Sequence, residues 1–126
     1  MEAFEEIVKD HSPKIYYFLR RMGLEHEDAD EIVQDVFILL WRDLKNGHGL
    51  NTVNFRLYQH SIKKVFLNKT GNIPLENSSV KGKLVFLLKR QEGFDFEDIA
   101  EMLGWSVIDV RNSFKSSLKN NILFQV

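Results

Sequence analysis

Turned at the helical period of about 100° per residue, the stretch from Asp28 to Arg42 sorts into two sides. Ala29, Ile32, Val33, Val36, Phe37, Leu39 and Leu40 gather on one. Asp28, Asp30, Glu31, Gln34, Asp35 and Arg42 gather on the other. The pattern predicts an amphipathic helix with a wide apolar stripe. Two residues break it: Ile38 falls in the middle of the acidic face, and Trp41 sits at its edge. Apolar area set among carboxylates suits a docking surface, because charge attracts a basic partner and apolar contact holds it. The plainer reading of Ile38 is a stray exposed aliphatic.

The same period organises the rest of the chain. Phe4, Ile7 and Val8 predict a short first helix. Ser12-Pro13 reads as an N-cap with proline at the first helical position, opening a second helix that runs to Gly23. The acidic helix follows from Glu25 and stops before Asn46-Gly47-His48-Gly49, a strong loop signal. Asn51-Thr52 is a candidate cap for the next helix. Its inner face takes Phe55, Tyr58, Ile62, Val65 and Phe66, and its outer face Arg56, Gln59, His60, Lys63 and Lys64. Such a basic face suits phosphates, although a solvated lysine face is the commoner meaning.

The stretch from Lys69 to Ser79, with Gly71, Pro74 and paired serines, is the one linker candidate. Val80 to Arg90 predicts a compact apolar helix. Phe96 to Leu103, Gly104-Trp105-Ser106 and Val107 to Lys119 then read as a helix-turn-helix. Ala100 is small where the helices cross, Gly104 makes the turn, and Ile99, Leu103 and Val110 hold the second helix to the first. Ser106 can cap that second helix. Rotation puts Val107, Val110, Phe114 and Leu118 inside, and Ile108, Asp109, Asn112, Lys115, Ser116 and Lys119 outside, with Arg111 at the border. Asn112 could pair with adenine, and Lys115 with guanine or a phosphate. Asp109 would oppose a phosphate. An ordinary helical hairpin is the alternative.

The expected architecture is all-α: a helical unit over 1–69, a linker over 70–79 and a helix-turn-helix unit over 80–126. Composition narrows the function. The chain of 126 residues contains no cysteine, so it has no disulfide framework and no thiolate metal site. The acidic start has no apolar core of a signal peptide, and no apolar run nears the ~20 residues that span a bilayer. The expectation is a soluble cytoplasmic protein with no membrane association. Charge is layered: 11 acidic against 6 basic residues over 1–45, 1 against 8 over 46–90, and 6 against 3 over 91–126. That order suggests one segment for a basic protein and another for a polyanion. His11, His26, His48 and His60 are scattered without metal-binding spacing, and no glycine-rich phosphate loop or nucleophile elbow is present. No metal, no cofactor and no enzymatic step are expected.

Asp28-Ala-Asp-Glu-Ile-Val-Gln-Asp-Val-Phe37, followed by Leu40-Trp41, resembles the polymerase-binding helix of region two in the extracytoplasmic-function sigma factors of bacteria. Phe86-Leu-Leu88, Glu92-Gly-Phe94 and Glu97-Asp-Ile-Ala-Glu-Met-Leu-Gly104 resemble region four of the same family. Together the resemblance runs from about Phe4 to Lys119. It implies a region-two-like helical bundle joined to a region-four-like helix-turn-helix, with bacterial core RNA polymerase and promoter DNA as partners and an anti-sigma factor as a further one. It implies polymerase contact through Asp28, Asp30, Glu31, Gln34, Asp35, Ile38 and Trp41. The minus-ten element would meet Arg56, Gln59, His60, Lys63 and Lys64. A second DNA contact would come from Ile108, Arg111, Asn112, Lys115, Ser116 and Lys119.

Departures from the family pattern leave alternatives open. Val65 stands where the family usually has asparagine, Lys69 where it has aspartate, and Ser113 where it has arginine. Ile108-Asp-Val-Arg111 replaces Gly-Thr-Val-Lys, and the linker is short and poor in acid. One alternative is a degenerate sigma-like protein that binds polymerase or an anti-sigma factor without opening promoters. Another is a homodimeric helix-turn-helix regulator whose first unit dimerises. The apolar end, Ile122-Leu-Phe-Gln-Val126, is expected to pack on the last unit or to serve as an oligomer contact.

Overall fold

The computed structural model describes residues 2–66 and 73–124, and side chains over 3–66 and 73–119. The described residues are mostly helical, with no strand among them, as the hydrophobic periodicity requires. No helix among them is long and apolar enough to cross a membrane. The chain divides into two compact units, Met1–Ile73 and Pro74–Val126.

In the first unit, α1 spans Glu2–Arg21, α2 His26–Lys45 and α3 Val53–Phe66. One long α1 replaces the two helices expected from Ser12-Pro13, because Pro13 lies inside it. The missing N–H of Pro13 leaves the carbonyl of Lys9 without its intrahelical donor. Both residues are exposed, so that carbonyl lies on the solvent side. Meanwhile the inward stripe from Phe4 through Ile15 to Leu19 and Met22 keeps its phase past the proline. The packed face therefore outweighs the local break. Gly23, at φ 108°, ends α1 in the left-handed region, where a side chain would be strained.

The core of this unit is formed by Ile15, Phe18 and Leu19 of α1, Ile32, Val36 and Leu40 of α2, and Leu57, Tyr58, Ile62 and Val65 of α3. Phe18 meets Tyr58 edge to face at 5.1 Å. The expected apolar stripe of α2 is buried except for Leu39, which is half-buried. On α3, Phe55 and Phe66 are only half-buried, while Val53, Leu57 and Ser61 take inward positions. Ser61 is accommodated by donating to the carbonyl of Leu57 at 2.7 Å. Thr52 does not cap α3. A 3-10 turn over Leu50–Thr52 precedes the helix, and the Thr52 hydroxyl donates back to the Gly49 carbonyl at 2.7 Å.

In the second unit, α4 spans Ser78–Phe86 and runs into a π-helical turn over Leu87–Gln91. Then come α5, Phe96–Leu103, and α6, Val107–Phe124. Helix α4 begins two residues before the expected Val80, because the Asn77 side chain accepts from the Ser79 and Val80 amides. Asp95 and Ser106 cap α5 and α6 in the same way. The expected turn is present: Gly104 adopts φ 70° and its amide returns to the Ala100 carbonyl. Both α4 and α5 pack on α6. Residues 70–72 of the expected linker lie outside the described residues, as do Lys69, the last two residues of the chain, and the side chains of Ile122, Leu123 and Phe124.

Candidate functional site

The acidic face of α2 forms because its apolar residues are held against α1 and α3. Asp30, Glu31 and Gln34 are exposed, and Gln34 donates to the Asp30 carboxylate at 3.3 Å. Asp28 and Asp35 are half-buried at the edges of the face. Ile38 stands among them 54% exposed, one of the few large apolar side chains the fold leaves open. Trp41 is half-buried. Phe4 meets it edge-on at 5.0 Å and the Lys45 ammonium lies 5.9 Å from its ring. Ile38 is therefore the open apolar group of the face, and Trp41 borders it.

The basic face of α3 is divided. Gln59 is half-buried and Lys63 exposed, and neither makes an ion pair among the described residues. Arg56, His60 and Lys64 turn to α2. Lys64 lies 3.9 Å from the Asp35 carboxylate, across a pair whose side chains are 30% and 42% exposed. Solvent screening makes such a pair weak.

Asp43 forms the tighter connection. Its carboxylate lies 2.7 Å from His60 Nε2 and 3.5 Å from Arg56. A carboxylate only accepts, so His60 Nε2 carries the hydrogen. Arg56 continues the network, donating to His48 Nδ1 at 2.7 Å and to the Thr52 hydroxyl at 3.1 Å. Guanidinium cannot accept, so His48 meets it as an acceptor through Nδ1. Four residues of the turn and of α3 are thus fixed to the end of α2. Sequence reasoning missed Asp43: nothing local marks it, because the partners of its carboxylate, Arg56 and His60, lie 13 and 17 positions further along the chain. The signal, if any, was the cluster of histidine and threonine in the turn, whose side chains accept from Arg56.

At the other end of α2, Arg20 donates to the Tyr16 hydroxyl at 3.0 Å. That leaves the hydroxyl proton for His26 Nδ1, 2.6 Å away. His11, on the inward side of α1, has a buried Nδ1 with no partner among the described residues. Burial, and secondarily the Lys14 charge, hold its pKa below the usual histidine value, against a smaller opposing effect of Asp10.

On α6, Ile108 is 71% exposed, and Asn112, Lys115, Ser116 and Lys119 are exposed as expected. Arg111 leans over Phe96 at 5.3 Å, which agrees with its border position. Val110 is buried, and Val107, Phe114 and Leu118 are half-buried on the inner side. Asp109 is exposed in the first turn. The start of α5 is acidic. Burial, then Asp95 through charge and hydrogen bonding, and then Glu101 and Glu97 push the Asp98 carboxyl above its usual value. No group of histidines and carboxylates among the described residues could hold a metal ion.

One chain thus carries an acidic helix face with an open apolar residue, a basic helix partly neutralised by it, and a capped helix-turn-helix. Residues 7–62 match the family model of sigma-70 region 2. The match runs from within α1 to within α3 and so contains the acidic face and the Asp43 network. Residues 7–62 thus form a sigma-70 region 2, which supports a sigma-factor-like role for the chain in transcription initiation. It matches none of the curated proteins with which it was compared.

Proposed function

We propose that this protein is a divergent, short sigma factor that works in the bacterial cytoplasm. It binds core RNA polymerase through α2 and directs it to promoter DNA through α3 and α6. The observation that carries the reading is Ile38, 54% exposed at the centre of a carboxylate face. A buried-on-binding aliphatic ringed by charge is the form of an interface hot spot. Asp28, Asp30, Glu31, Gln34 and Asp35 supply attraction to a basic surface, with Trp41 at the margin. On DNA, Gln59 and Lys63 are the α3 groups free to approach phosphate or base. Ile108, Asn112, Lys115, Ser116 and Lys119 form the outward surface of α6, where an apolar side chain suits a thymine methyl. No chemical step belongs to the chain itself. An anti-sigma factor would compete for the open face of α2.

A second reading has one observation in its favour. Arg56, His60 and Lys64 are engaged by Asp43 and Asp35, so most of the basic face of α3 is neutralised within the protein. That arrangement suits a protein that holds polymerase without opening promoters. Run-off transcription with core polymerase on genomic fragments separates the two. Discrete transcripts that require this protein support the first reading. Co-purification with core polymerase and no transcript supports the second. No association with polymerase defeats both.

A further inference from the structure

The outward face of α1 is used by neither interface. Glu6, Asp10, Pro13, Lys14, Tyr17, Arg20 and Arg21 are all exposed, opposite the buried stripe of Ile15, Phe18, Leu19 and Met22. Tyr17 is 56% exposed, with its edge against Tyr16 at 5.4 Å. Among the described residues Glu6, Asp10, Lys14 and Arg21 make no ion pair, and Arg20 donates to the Tyr16 hydroxyl and lies over its ring. Along this face the charge is segregated on balance: Glu5, Glu6 and Asp10 outnumber Lys9 before Pro13, and Lys14, Arg20 and Arg21 follow it.

Helix-dipole compensation favours this order of signs. It gives no reason for a large aromatic ring standing in solvent among the cations. A polyanion would be repelled by the Glu6 and Asp10 half. A partner complementary to both halves must carry the same two charges in reverse order.

We propose that the outward face of α1 is a self-complementary docking surface for a second copy of this chain, packed antiparallel about a two-fold axis near Pro13. In an antiparallel pair, facing positions have a constant sum. With Pro13 on the axis, Glu6 faces Arg20 of the second copy, and Asp10 faces its Tyr16–Tyr17 edge. The two-fold repeats each contact, as an isologous interface requires. Tyr17 then faces Lys9 of the second copy, with the Asp10 carboxylate beside it as an acceptor for the tyrosine hydroxyl. The charged stripe from Glu6 to Arg20 is about 21 Å long at 1.5 Å per residue, less than a standard interface offers. The association is therefore weak and strongly weakened by salt.

Sedimentation equilibrium of the full chain at high protein concentration tests this. The parent should self-associate in low salt, with an association constant that falls at least tenfold in high salt. Two charge-reversal variants complete the test: Glu6→Lys and Arg20→Glu. Each alone should associate at least tenfold more weakly than the parent. Mixed in equal amounts, they should pair with each other as tightly as the parent does with itself. Three results would overturn the proposal: a parent that is monomeric throughout, single variants that associate like the parent, or a mixture no tighter than its components. Polymerase binding through Ile38 lies on another helix, so its failure would leave this test standing.

Discussion

The two units of this chain hold themselves together by different means. In the first, carboxylates of α2 reach across to cations of α3, and the turn between them is fixed by four polar contacts around Asp43 and Arg56. In the second, aromatic rings hold the helices together. Phe86, Phe96 and Phe114 pack on one another at 5.4 to 6.3 Å. Lys89, Arg90 and Arg111 lie over the Phe96 and Phe114 rings at 4.6 to 5.8 Å. Cations spent on carboxylates are withdrawn from any polyanion. Cations resting on rings keep their charge unneutralised while their stems cover apolar surface. The unit matched to sigma-70 region 2 thus sets cations of α3 against carboxylates of α2, while the helix-turn-helix unit rests Lys89, Arg90 and Arg111 on aromatic rings.

The contrast can be broken hardest in the second unit. Gly82 sits where α4 crosses α6, and a Cβ there would lie 3.2 Å from Ser117 Cβ and 3.6 Å from the Ser113 carbonyl. Gly82→Leu should destabilise this unit by about 1–3 kcal/mol through overpacking. Denaturant unfolding followed by Trp105 fluorescence reads this loss, while Trp41 reports an unchanged first unit.

Asp43→Asn should cost the first unit about 1–2 kcal/mol, because two donors on the α3 side lose their charged acceptor. The Trp41 transition should shift and the Trp105 transition should not. The same variant sharpens the comparison, since freeing Arg56 and His60 should raise the affinity of the chain for an oligonucleotide in low salt. An unchanged affinity would mean that these cations do not face a polyanion even when released.

The smallest effect concerns His11. Its folded pKa lies below its unfolded value of about 6.5. The fold therefore favours the neutral ring. This contribution is fully present above the unfolded value and is lost as pH falls through it towards the folded one. The first unit should lose stability on acidification from pH 7 to 5, and His11→Leu should flatten part of that slope. An unchanged slope in the variant would assign the effect to other groups.

Much of this was legible in the amino-acid order because it depends on period. The stripe of α2, the exposure of Ile38 among carboxylates, the turn at Gly104 and the outward set on α6 all follow from residues within a few turns of one another. Pro13 misled because a local breaker was weighed without the packed face that continues past it. The Asp43 network was hidden because it exists only after the turn at residues 46–52 returns α3 to α2. The Gly82–Ser117 approach was hidden for a similar reason: neither residue carries a signal until two helices cross there. Val65, where the resembled family usually has asparagine, is 2% exposed and belongs to the core. Its apolar character is explained by packing.

The account rests on the open face of α2, and equilibrium binding of the full chain to core RNA polymerase tests it most directly. Three proteins suffice: the parent, Ile38→Glu, and Leu50→Glu as a control at a 66% exposed aliphatic away from that face. Ile38→Glu should weaken binding at least tenfold, about 1.4 kcal/mol, while Leu50→Glu binds like the parent. Equal binding by Ile38→Glu and the parent would contradict the account.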